Sequence, residues 1–206
     1  MDKLCLNCLN LYMSKKTYHS VEFLKDLHEK KTEMMEHIVH SYTLPLLKGA
    51  LSLGLSRDQA EDLAQQVWEA FFSKVENFQG RSHIRTYLFG ILYNKSKELF
   101  RETKKSLNND PIDDIVESRF SPEGQWGAPP IDPEKFALTA ESMTHVEQCL
   151  QNLSLNQRMA FCLKEIDHES NESICKILEV TSTNLGVLLY RARNYLRECI
   201  EKKSNL

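Results

Sequence analysis

The chain has 206 residues, 41% hydrophobic and 27% charged, with 26 Lys and Arg against 29 Asp and Glu for a formal net charge of -3. This is the composition of a soluble protein of one medium or two small domains, and it excludes a globally basic nucleic-acid binder, so any basic surface has to be local. No apolar run approaches the roughly 18 residues needed to cross a membrane.

The N-terminus has one early Lys and no small-residue cleavage site after an apolar core, so it does not read as a signal peptide. A cytoplasmic chain with its six cysteines as reduced thiols is expected. Residues 1–19 are read as a disordered extension, with translation starting at Met1 or Met13. Cys5 and Cys8 form a CxxC pair, which reads as half a zinc site or a redox pair, but no second Cys or His pair and no βαβ pattern accompanies it.

A first helical domain is expected over residues 20–105. Met34 to Leu55 reads as a helix that Pro45 kinks or breaks and Gly54 ends. Ser56-Arg-Asp-Gln59 has the form of a capping box, opening the next helix. Ala60, Leu63, Ala64, Val67, Trp68, Phe71, Phe72 and Val75 recur at helical spacing and make one buried stripe. Asp58, Glu61, Asp62, Gln65 and Glu69 fall on another face, either a solvated surface or a docking face for a basic partner. The pattern breaks at Gly80, and Ser82 is placed to cap a helix with Ile84, Tyr87, Leu88, Ile91, Leu92 and Leu99 on one side.

From Ser106 to Glu141 eight acidic side chains face only Arg119 and Lys135, with Pro and Gly throughout and few apolar residues. Residues 106–140 are therefore read as a flexible acidic linker. A second helical domain follows over residues 141–206. Ser154-Leu-Asn-Gln157 is another capping box, opening a helix with Met159, Ala160, Leu163 and Ile166. Cys162 and Cys175 sit among apolar helix positions and read as packing residues. Ser170 caps a short helix bearing Ile174, Ile177 and Leu178; Thr181 or Ser182 caps a last helix whose core side is Leu185, Leu189, Ala192 and Leu196.

Ser170 to Glu198 thus reads as a short helix, a tight turn and a second, basic helix, the layout of a DNA-reading helix-turn-helix. The second helix of such a unit meets base edges with its N-terminal residues, here Thr181, Ser182, Thr183, Asn184 and Gly186, and Asn suits adenine. Arg191, Arg193 and Arg197 follow where phosphate contacts are natural. A packed helical hairpin with solvated arginines is the alternative. Between Arg81 and Lys105 seven basic residues are opposed by Glu98 and Glu102, with Phe78, Tyr87, Phe89 and Tyr93 close by. Cations beside aromatic faces suit single-stranded nucleic acid; a solvated charged face is the other reading. His37 and His40 share a helix face without a carboxylate or Cys to complete a metal site. No catalytic motif is present, so neither enzyme activity nor a cofactor or metal is expected.

Ala60-Glu-Asp-Leu63, Phe78-Gln-Gly-Arg-Ser82, Arg85-Thr-Tyr-Leu88 and Ile91 to Asn94 resemble the second conserved region of bacterial extracytoplasmic-function (ECF) sigma factors of the sigma-70 family. Leu153 to Glu201 resembles their fourth region, and the likeness extends over roughly residues 33 to 201. Phe120, Gly124 and Trp126, with Thr183 to Arg193, look like a subset of which some members pair with small zinc-containing anti-sigma proteins. The resemblance implies an all-α chain of two small helical domains that binds core RNA polymerase (β′ and β subunits) and promoter DNA. Asp58, Glu61, Asp62, Gln65 and Gln66 would dock on a β′ coiled coil, with Leu63 and Trp68 holding the helix in place. Phe78, Gln79, Gly80, Arg81, Ser82 and His83, with Arg85 and Tyr87, would capture an unpaired base of the minus-ten element. Thr181, Ser182, Thr183, Asn184, Gly186, Val187, Tyr190, Arg191 and Arg193 would read the minus-thirty-five duplex. The acidic linker would thread a polymerase channel. The chain departs from the family at Gln66, where Glu is frequent, and at Gly186 and Leu188, where Lys or Arg is frequent. A stand-alone helix-turn-helix regulator is the rival reading.

Overall fold

The computed structural model describes residues 20–103 and 140–204. Among the described residues every regular element is helical. The chain divides into two compact units, with the division between Glu98 and Leu99. The N-terminal extension with Cys5 and Cys8, and the linker with Phe120, Gly124 and Trp126, lie outside the described residues.

Ser20 opens the first unit: its hydroxyl accepts the Phe23 N–H at 3.1 Å and starts α1 (Val21–His28). Phe23 and Leu27 are fully buried. Eight residues with two core side chains are too short for periodicity to reveal this helix. α2 (Thr32–Ser52) runs through Pro45 as one helix, so of the expected kink or break the break does not occur. The missing proline N–H costs the Ser41 carbonyl a partner, but Ile38 and Tyr42 before it and Leu46 and Ala50 after it are all buried. That burial on both sides keeps the two halves in one helix, each large side chain contributing about 1.5–3 kcal/mol. α2 ends as expected, with Gly54 in the left-handed region at φ 78°.

The Ser56 capping box is formed: Ser56 Oγ accepts the Gln59 N–H at 3.3 Å, and Gln59 Oε1 accepts the Ser56 N–H at 3.0 Å. It starts α3 (Arg57–Lys74), which buries Ala60, Leu63, Ala64, Val67 and Phe71. A 3-10 turn (Val75–Asn77) leads to a loop and then α4 (Ile84–Thr103). His83, not Ser82, caps α4: its Nδ1 accepts the Arg85 N–H at 3.1 Å and its carbonyl accepts the Tyr87 N–H. α4 buries Ile84, Leu88, Phe89, Leu92 and Tyr93. It lies so close to α2 at Gly49 that a Cβ there would stand 3.0 Å from Phe89 Cε1 and 3.1 Å from Leu92 Cδ2.

In the second unit, α5 (Ala140–Gln151) leads to the Ser154–Gln157 capping box, which starts α6 (Leu155–Phe161) as expected. Arg158 is buried and donates to the Gln151 and Leu153 carbonyls, so the end of α5 is closed by a side chain from α6. α6 then widens into a π-helical turn (Cys162–Ile166), with the Asp167 N–H bonded back five residues to the Cys162 carbonyl at 3.0 Å. The widening rotates the chain, and Ile166, expected in the core, is 58% exposed. Ser170 caps α7 (Asn171–Leu178), which ends at Glu179 with φ 56°. Of the two candidate caps for α8 (Ser182–Ser204), Thr181 is the one used, its Oγ1 accepting the Asn184 N–H at 3.2 Å. Leu185, Leu189, Ala192 and Leu196 are buried as expected.

Cys149 of α5 and Cys199 of α8 are joined by a disulfide across 50 residues, their Cα atoms 5.9 Å apart. This corrects the expectation of six reduced thiols. Cys149 and the following Leu153 pack in one buried cluster with Ala192 and Leu196 of α8, which brings Cys149 and Cys199 within disulfide reach. Cys162 is a buried free thiol, and Cys175 is free and only partly buried.

Candidate nucleic-acid and polymerase interfaces

On α3, Asp58, Glu61, Asp62, Gln65, Gln66 and Glu69 are all exposed, opposite the buried stripe. Glu61 is held by Arg57 at 2.8 Å, and Glu69 accepts from Gln65 Nε2 at 3.0 Å. Asp58 and Asp62 form no ion pair with another described residue, so they are the carboxylates most available to an outside cation. Leu63 is 1% exposed. Trp68 stacks on Phe72 with centroids 5.8 Å apart and meets Phe71 edge-on at 5.9 Å. The acidic face therefore sits on a rigid aromatic base. Beside it a groove of about 570 Å³ runs between α3 and α4, lined by Gln66, Glu69, Lys74, Tyr87, Asn94 and Lys95.

The loop between Asn77 and Ile84 presents fewer of its residues than the sequence suggested. Phe78 is 2% exposed and packs under the Tyr87 ring, with centroids 5.1 Å apart. Gly80 is buried at φ 65°. Both shape the loop from below, and the Phe78 ring does not face outward. Phe89 and Tyr93, the other rings expected beside the charges, are likewise core residues. Gln79 and Arg81 are exposed, while Ser82, His83, Arg85 and Tyr87 are half-buried. The Arg85 guanidinium lies 4.5 Å above Phe89, and Lys97 Nζ lies 5.1 Å above Tyr93. The rings thus hold the cations in place at the surface. Burial raises the Tyr87 pKa above the usual phenol value, so its hydroxyl stays protonated and able to donate.

His28 was missed by the sequence reading. Its Nε2 donates to the Phe78 carbonyl at 2.8 Å, tying the end of α1 to the loop. The contact spans 50 residues, so no local signal carries it.

In the second unit α7, the turn and α8 form the expected helix-turn-helix. Ser182, Thr183, Asn184, Gly186 and Val187 are exposed beside Thr181, with Leu185 and Leu189 beneath them. One acceptor site of the Thr181 hydroxyl is taken by the cap. Tyr190 and Arg191 are half-buried, and the Tyr190 carbonyl accepts from Asn194 Nδ2 at 3.0 Å. Arg193 is exposed, but Glu165 Oε1 binds its Nη2 at 2.6 Å and its Nε at 3.2 Å. Glu165 stands on the π-helical turn, a partner the sequence did not suggest.

Among the described residues no three His, Cys, Asp or Glu side chains converge as a metal site. No described helix is long and apolar enough to cross a membrane.

The comparisons agree with both halves of this geometry. Residues 38–106 match the family model for sigma-70 region 2, and residues 145–196 match that for sigma-70 region 4. A probable RNA polymerase sigma factor of Haemophilus influenzae is 32% identical over 154 residues, covering 71% of this chain and 79% of that protein. The ECF RNA polymerase sigma-E factor of Escherichia coli K12 is 25% identical over 142 residues, covering 69% and 72%. Two solved structures share the fold. One is the sigma factor RpoE of Bartonella quintana in complex with the anti-sigma factor NepR, with TM-score 0.59, 23% identity and coverage of 81% of this chain and 96% of that one. The other is CnrH in complex with the cytosolic domain of CnrY, with TM-score 0.62, 17% identity and coverage of 87% and 95%. With an acidic helix face, a basic loop and helix, and a helix-turn-helix in the order of both conserved regions, the chain belongs to the ECF group of sigma-70 factors, the proteins that direct RNA polymerase in transcription initiation.

Proposed function

We propose that this sigma factor grips its polymerase and promoter at three surfaces. The exposed face of α3, centred on Asp58 and Asp62, docks on a basic coiled coil of the core β′ subunit. Gln79, Arg81, Ser82, His83, Arg85 and Tyr87 take up an unpaired base and its phosphates at the minus-ten element, with Phe78 and Gly80 setting the loop from beneath. The exposed N-terminal turns of α8 enter the major groove of the minus-thirty-five duplex, with Asn184 suited to adenine and Arg191 suited to phosphate.

The single observation that carries this reading is the α3 face. Six polar or acidic side chains are exposed along one side of a helix that buries Ala60, Leu63, Ala64, Val67 and Phe71 on the other. A stand-alone helix-turn-helix regulator has no use for such a surface or for a region-two unit. One protein of the same fold, RpoE, was solved in complex with the anti-sigma factor NepR, which supports a regulatory protein of that kind as a further partner, a zinc-containing one by the sequence resemblance.

The experiment is run-off transcription with purified core polymerase on a genomic fragment library, comparing wild type with Asp62→Arg. The wild type yields discrete transcripts. Asp62→Arg keeps its helical content and loses core binding in a pull-down. Full transcription by the variant would remove α3 from the interface.

A further inference from the structure

Five glycines lie within the described residues, and three have a reason inside the chain. Gly54 and Gly80 adopt positive φ, at 78° and 65°, where L side chains are strained. Gly49 is pressed against Phe89 and Leu92. Gly90 and Gly186 have neither reason: both lie within helices, and a Cβ on either would meet nothing within 4 Å.

A glycine inside a helix destabilises it relative to alanine, through backbone entropy and lost burial. At Gly186 nothing in the chain's own packing compensates. The position is exposed, one residue beyond the fully packed Leu185 and one before Val187, which is 42% exposed. Ser182 lies one turn before it and Tyr190 one turn after, on the same side of α8. Ser182 and Gly186 thus leave only small groups on this side of the first turns of α8, with open space where a Cβ at Gly186 would stand. These are the turns that the proposed function puts in the major groove. The same surface carries an amide at Asn184 and methyl groups at Val187, both exposed and uncharged.

We infer that Gly186 is a clearance residue for promoter DNA. The minus-thirty-five duplex approaches the α8 backbone at this position more closely than any Cβ allows, and this approach, not the fold, is why the position is bare. The inference rests on the proposed function, since it needs α8 in the groove. It adds that the fit at Gly186 is steric, so that even the smallest side chain disturbs a duplex contact while improving the helix.

Gly186→Ala and Gly186→Ser test this with two readouts. Thermal unfolding of the free protein reports the helix, and the alanine variant is expected to melt roughly 2–8 °C higher. Initiation by the reconstituted holoenzyme is then measured on two templates from the library above. One is the full duplex promoter; the other is a pre-opened bubble carrying the minus-ten region without the minus-thirty-five element. Both variants should lose at least about fivefold on the full promoter, comparable to a single mismatched base pair, and match wild type on the bubble. Full-promoter initiation at or above wild type, with the melting point raised, overturns the inference. So does an equal loss on both templates, or a fall in melting temperature. Failure of the wild-type protein to initiate on either template strikes the sigma-factor surfaces themselves, and is told apart by that control.

Discussion

Glu165→Gln isolates how the π-helical turn controls the recognition helix. Glu165 holds Arg193 by two hydrogen bonds, the shorter at 2.6 Å, with the two side chains 40% and 51% exposed. An ion pair this open contributes at most about 1 kcal/mol to folding, so the glutamine variant stays folded. On the DNA side two effects add. A free Arg193 can neutralise one more phosphate, steepening the slope of log affinity against log salt by about 0.9. For a phosphate held by Arg193 at about 5 Å from the Glu165 carboxylate, loss of that carboxylate would remove about 0.8 kcal/mol of repulsion at the dielectric constant of water, close to a fourfold gain in affinity. The assay is fluorescence anisotropy of a labelled promoter duplex titrated with holoenzyme between about 50 and 200 mM KCl. Tighter binding and a slope steeper by about one unit are expected. In an Arg193→Ala background the slope change should vanish while part of the affinity gain persists. An unchanged slope in the single variant, or the same change in both backgrounds, would refute the idea that Glu165 competes with DNA for Arg193.

Three further outcomes follow from the packing. Gly49→Val forces a branched side chain against Phe89 and Leu92 at a point where a bare Cβ is already 3.0 Å from a ring carbon. It should cost about 1–3 kcal/mol, read as a lower urea midpoint with an unchanged slope. Cys199→Ser opens a loop closed across 50 residues, a loss of about 4 kcal/mol by chain entropy. Hydrogen exchange should then accelerate in α5 and α8 and not in α3, and a peptide map of the unreduced wild type should recover the Cys149 and Cys199 peptides linked; their separate alkylation would remove the basis of the prediction. Burial, and secondarily the charge of His40, lowers the His37 pKa below its usual value. The unfolded chain therefore binds the proton more readily, so this stabilisation is present above the ordinary imidazole pKa of about 6.5 and is lost as pH falls through the folded value. Melting temperature should drop on acidification through that window, and less so in His37→Gln.

What was legible in the sequence was local. The capping boxes at Ser56 and Ser154 and the cap at Ser170 each involve groups three residues apart, and all three formed. The apolar stripes of α3 and α8 were readable for the same reason, because helical spacing alone decides which side chains share a face. The acidic face of α3 came with its stripe, as the remainder of the same helix. Where local reading failed, a distant contact had decided. Pro45 did not break α2, because core residues flank it on both sides. Phe78 was read as a ring that could meet an unpaired base and is buried, because α1 and α4 close over the loop through His28 and Tyr87.

By itself, then, the sequence determined that the chain is helical, where its capped helices begin, and which conserved regions it carries, all of which depend on neighbours within one or two turns. The tertiary structure alone decided that Cys149 meets Cys199, that Glu165 holds Arg193, and that Gly49 is packed while Gly186 stands open. Those pairings join residues 50 and 28 positions apart, or concern the space around a position with no side chain. Only the packing of one helix on another sets such distances, and no local pattern encodes them.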